Sequence, residues 1–89
     1  MTARLRPLNQ PARVEVRTDG EGRPLALRTR RGQPLEEISQ IRESWRIDDE
    51  WWRRPVSREY HQVVLENGKV ATLYLDLAEG GWYLQGGGG

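Results

Sequence analysis

The chain has 89 residues, 36% hydrophobic and 30% charged, with no Cys, no Phe, four Trp, three Tyr and a formal net charge of +1. A chain this short makes one domain that buries only about 60% of its unfolded surface, so its large aromatics must carry much of the core. Composition excludes a disulfide framework and a thiolate metal site, the balanced charge is not that of a strongly basic nucleic-acid binder, and no apolar run approaches the ~18 residues of a membrane span.

Residues 1–12, "MTARLRPLNQPA", carry two prolines and no periodicity, and read as a flexible leader. "RVEVRT" (13–18) then alternates, with Val14 and Val16 on one face and Arg13, Glu15 and Arg17 on the other. "DGEGRP" (19–24) is turn chemistry and "LALRTR" (25–30) alternates again, so the pair predicts a β-hairpin.

The segment "PLEEISQIRESWRI" (34–47) is ambiguous. Leu35, Ile38, Ile41 and Trp45 fit one helix face, with Pro34 near the first helical position and Glu36 and Glu37 at the positive helix end. A strand holds Leu35, Ile41, Trp45 and Ile47 on one face only if Ile38 marks a bulge. "DDEWWRRP" (48–55) reads as a corner ended by Pro55, with Trp52 in the core and Trp51 more exposed. "REYHQVVLE" (58–66), Asn67-Gly68 and "KVATLYLDL" (69–77) make a second hairpin, whose two-residue turn wants positive φ at both positions. On its last strand Val70, Thr72, Tyr74 and Asp76 oppose Ala71, Leu73, Leu75 and Leu77. "AEGG" (78–81) turns the chain into a short strand, "WYLQ" (82–85), before a flexible glycine tail at 86–89.

Little of this supports catalysis. His61 is the only His and reads as a solvated or satisfied strand residue rather than a metal ligand. Ser57, His61 and Asp76 form a nominal triad, but no nucleophile-elbow sequence surrounds any of the three serines. Asp48, Asp49 and Glu50 are adjacent rather than facing across a cleft, and read as partners for Arg46, Arg53 or Arg54. The remaining signal is basic and aromatic. Arg28, Arg30, Arg31, Arg53, Arg54 and Arg58 beside Trp51, Trp52 and Tyr60 suit a surface where arginines track phosphates and rings stack on bases. The same residue types are enriched at protein-docking hot spots, so composition leaves nucleic acid and protein both open as partners.

Residues 44–85, "SWRIDDEWWRRPVSREYHQVVLENGKVATLYLDLAEGGWYLQ", resemble a small bacterial domain of unknown function. They also resemble the extreme C-terminus of inactive Y-family DNA-polymerase-like proteins of the damage-induced mutagenesis cassette. The resemblance rests on Trp45-Arg46, Trp51-Trp52, Arg58-Glu59-Tyr60, Asn67-Gly68, Asp76-Leu77 and Gly81-Trp82-Tyr83-Leu84, and extends over residues 13–31 to the "RRG" at 30–32. Relatives carry an aromatic where His61 stands, and an aromatic or basic residue near Leu35. The resemblance implies a strand, not a helix, over 35–47, and an accessory or docking role in translesion synthesis without chemistry of its own.

The expectation is a single all-β domain at 13–85. It is a small half-open SH3-like barrel of five to six antiparallel strands; the alternative is α+β with a helix at 35–47. The expected core is Val14, Val16, Leu25, Leu27, Ile41, Trp45, Trp52, Val64, Leu73, Leu75 and Trp82. The expected function is that of a non-enzymatic interaction module, needing no cofactor or metal. It would dock protein in DNA damage tolerance or bind nucleic acid directly, through Arg28, Arg30, Arg31, Trp51, Arg53, Arg54, Arg58 and Tyr60. A cytoplasmic monomer or weak dimer with no membrane contact completes the expectation.

Overall fold

The computed structural model describes residues 11–51 and 54–85, and only the backbone of Glu50, Trp51 and Arg54. Most of the expected leader, the glycine tail, Trp52 and Arg53 lie outside the described residues, and Ala12, assigned to the leader, already opens the first strand. The strands are β1 (Ala12–Thr18), β2 (Pro24–Arg28), β3 (Glu36–Trp51), β4 (Arg54–Leu65), β5 (Val70–Asp76) and β6 (Trp82–Leu84). Each pairs antiparallel with the next, and β6 returns to β1, so the sheet is an all-β barrel closed in chain order. Among the described residues no helix is long and apolar enough to cross a membrane.

Three bulges decide which side chains reach the interior. Ile38 pairs with Leu65 and Ile41 with Val63, so β3 spends three residues where β4 spends two; Ser39 is the extra one. The i, i+3 spacing of Ile38 and Ile41 is therefore two strand positions plus a bulge, not a helical turn. A second bulge at Arg42 reverses the alternation again. It turns Trp45 outward, to 38% exposure, and corrects its expected place in the core. The third lies in β2: Arg17 pairs with Ala26 and Thr18 with Pro24, which squeezes Leu25 out to 43% exposure while Ala26 and Leu27 are buried.

The barrel interior holds Val14, Leu27, Val63, Leu65 and Leu73, with Val16, Ile38, Ile41, Ala71, Trp82 and Leu84 packed against them. On β4 the inward residues are the odd ones, so Val63 occupies the interior and the expected Val64 is only half-buried. Leu75 is likewise half-buried.

Two turns refine the expectations. At the β4–β5 hairpin the Gly68 N–H donates to the Leu65 carbonyl at 2.8 Å, which centres the turn on Glu66 and Asn67. Gly68 follows at φ +91°, and the Asn67 side chain accepts from the Lys69 N–H at 2.9 Å. This is a three-residue hairpin loop with its glycine in the left-handed position, in place of a two-residue Asn-Gly turn. "DDEWWRRP" is no corner: β3 runs on to Trp51, and Glu50 and Trp51 pair with Pro55 and Arg54 across a continuous β3–β4 hairpin. The β4–β5 ladder stops at Arg58 and Asp76, with one further bond from the Leu77 N–H to the Ser57 carbonyl at 2.9 Å, so Asp49–Trp51 and Arg54–Val56 continue past the ladder as a two-stranded ribbon.

Candidate functional site

The arginines of the first hairpin converge on one groove of about 640 Å³. β1 pairs with β6 through Ala12–Val14 and with β2 through Glu15–Thr18, and the groove opens where it changes partner. Alternation sends Arg13, Glu15 and Arg17 to the outer face. The loop after β2 adds Arg30 and Arg31, and Gly80–Gly81 form the opposite wall. Five guanidiniums line the groove against one carboxylate, Glu15, and that one is taken: Arg28 Nε donates to Glu15 Oε1 at 2.6 Å. Among the described residues no carboxylate pairs with Arg13, Arg17, Arg30 or Arg31. On a chain of net charge +1 this is a marked local excess of positive charge.

Arg13 is held in place. Its guanidinium lies against Gly81, where an added Cβ would stand 3.1 Å from Nη2, and its Cζ is 5.8 Å from the Tyr83 ring centre. A side chain at position 81 would displace it.

A second feature runs from Arg13 across the outer face of the sheet. Tyr83, Tyr74, Tyr60 and Trp45 are direct cross-strand neighbours on β6, β5, β4 and β3. Their ring centres stand 5.2, 5.0 and 5.2 Å apart along that row, with interplanar angles of 19°, 40° and 3°. Arg58 lies over Tyr74 at 4.4 Å and donates to the Tyr60 hydroxyl at 3.0 Å. That hydrogen bond strengthens the grip of Arg58 on its proton. Tyr60 and Tyr74 are buried although they face away from the barrel interior, because the row is a second apolar layer laid on the outside of the sheet. Of the four rings, Trp45 at the β3 end is the most exposed.

The expected site therefore divides. Arg28, Arg30 and Arg31 belong to the groove, and Arg13 and Arg17 join them; the alternation of "RVEVRT" was the available signal for those two. Arg58 and Tyr60 belong to the ring row, where both are engaged in holding the sheet. Trp51 and Arg54 stand opposite each other at the end of the ribbon, with side chains outside the description, and Arg53 lies outside the described residues.

The nominal triad does not assemble. Ser57 donates to Asp48 Oδ1 at 2.7 Å, and His61 Nδ1 meets Ser44 Oγ at 2.8 Å on the interior face. His61 is 4% exposed, packs 5.8 Å from Trp82, and its Nε2 has no hydrogen-bond partner among the described residues. Burial lowers its pKa, opposed by the Glu59 carboxylate 3.9 Å away. Asp48 is held below the usual carboxylate range by hydrogen bonds from Arg46, at 2.8 Å, and from Ser57. Among the described residues no three carboxylates or imidazoles gather to hold a metal ion.

Fold and site define a small closed β-barrel with an arginine groove and an outer aromatic layer. Scans of protein-family models, curated proteins and solved structures return no match to the chain.

Proposed function

We propose that this chain is a non-enzymatic binding module whose arginine groove takes the sugar–phosphate backbone of nucleic acid. One observation carries the reading: four guanidiniums that have no carboxylate partner among the described residues share one open groove. Guanidinium forks match phosphate oxygens in bidentate geometry, and release of condensed counterions drives their association with a polyanion. The resemblance to the C-terminal domain of inactive polymerase-like proteins supports a setting in DNA damage tolerance and translesion synthesis. There the module holds template or primer backbone and supplies no chemistry. The protein-docking reading draws on a different surface, the exposed Trp45 and Ile47 of β3.

The test is a salt titration of fluorescently labelled single-stranded and duplex oligonucleotides, followed by anisotropy. Four phosphate contacts give a slope near −2.8 in log K against log salt for a single strand, roughly a fifty-fold fall between about 50 and about 200 mM. Replacing Arg30 and Arg31 by Gln, both on an exposed loop, should halve that slope. Binding that ignores salt, or a double variant that binds as the parent does, refutes the groove as the contact surface.

A further inference from the structure

The longest strand of the barrel is also its least covered. β3 pairs with β2 through Glu36 and Glu37 only. The ladder ends there because β2 next offers the bulged Leu25 and then Pro24, which has no N–H to donate. From Ser39 to Trp51, β3 is paired with β4 alone, and among the described residues its other edge has no strand partner. Such an edge presents a row of unpaired N–H and C=O groups, a template for another strand. Trp45 and Ile47 stand exposed along it, and Arg42 has no carboxylate partner among the described residues.

We propose that a second copy of the chain occupies this edge, β3 against β3, antiparallel about a two-fold axis at Trp45. A two-fold axis normal to the sheet keeps each side chain on its own face, so residues equally far either side of the axis residue oppose one another. An axis at Trp45 sets Trp45 against its copy, Ser44 against Arg46, Glu43 against Ile47, and Arg42 against Asp48. The last pairing occurs twice by symmetry and supplies Arg42 with a carboxylate. The neighbouring registers oppose like charges. An axis at Ser44 sets Arg42 against Arg46; one at Arg46 sets Arg46 against itself and Glu43 against Asp49. An axis at Ile47 avoids like charges but seats the Trp45 ring against Asp49. Only the Trp45 axis also stacks the two exposed indoles, a favourable cross-strand pair. The contact is independent of the arginine groove and stands or falls separately from it.

Sedimentation velocity of the full chain from about 1 to about 300 µM should show mass action between 10.3 kDa monomer and its dimer. Arg42→Asp and Asp48→Arg each oppose like charges and should weaken dimerisation about tenfold or more, the equivalent of about 1.4 kcal/mol. The double variant R42D/D48R restores opposite charges and should dimerise within about threefold of the parent. Hydrogen exchange of the parent, which depends on no variant folding, should slow at amides within Arg42–Asp48 as concentration rises. A chain monomeric throughout the range overturns the proposal. A dimer indifferent to the single substitutions, or single variants not rescued by the exchange, overturns the register and with it the proposed contact. Exchange at these amides that does not change with concentration overturns it as well.

Discussion

Replacing Tyr74 by Ala tests whether the outer ring row is a second core or an exposed stacking platform. Tyr74 is 4% exposed, between Tyr60 and Tyr83 and beneath Arg58. A ring of this kind buries roughly 150–250 Å², and at about 25 cal/mol per Å² its removal forfeits at most about 4–6 kcal/mol. Two effects reduce that figure. The unfolded chain already hides some of the ring, and water fills the gap because the row lies on an outer face. About 3 kcal/mol remains, which for a domain this size corresponds to a fall in Tm of roughly 12–24 °C. Urea denaturation followed by tryptophan fluorescence and far-ultraviolet circular dichroism measures it. Tyr74→Phe should lie within about 1 kcal/mol of the parent, since the phenol makes no hydrogen bond among the described residues. Val70→Thr, exposed on the same face, should stay within about 0.5 kcal/mol. A loss below about 1 kcal/mol for Tyr74→Ala would refute the second core and return the rings to the list of ligand contacts.

Leu27→Ala and Leu25→Ala, two residues apart with the same alternation, should differ sharply in chemical denaturation. Leu27 is 2% exposed and should lose about 2–5 kcal/mol, while bulged Leu25 should lose less than about 1; equal losses would remove the bulge from β2. His61 gives a pH dependence. Its folded pKa lies below its ordinary value of about 6.5, so the unfolded chain binds the proton first, and stability falls with pH from about 6.5 down to the folded value. His61→Phe keeps a ring beside Trp82 and should flatten the stability profile between about pH 7 and 5, where most carboxylates stay ionised. Parallel profiles for parent and variant would show that His61 is not buried in its neutral form.

The two hairpins and the short last strand could be read along the chain. β3 could not, because its spacing also fits a helix face, and the β4–β5 turn and the 48–55 stretch both differ from their reading. Period-two alternation in "RVEVRT" and "KVATLYLDL", with Asp-Gly and Asn-Gly turns between runs, is local information, set by how a pleated strand presents successive side chains. The bulges are not local. Ser39, Arg42 and Leu25 are extra residues only relative to the strand each opposes, and each reverses the alternation beyond it. That is why the spacing of β3 imitates a helix, why Trp45 faces out, and why Leu25 is exposed while Ala26 and Leu27 are buried. The candidate site divides the same way. The outward arginines of β1 and the pair at Arg30 and Arg31 were visible as residues. Their meeting in one groove depends on β1 exchanging β6 for β2 midway, and the row from Trp45 to Arg13 exists only in the cross-strand register. Alternation belongs to a strand by itself, whereas register belongs to pairs of strands, and pairing is settled when the barrel closes.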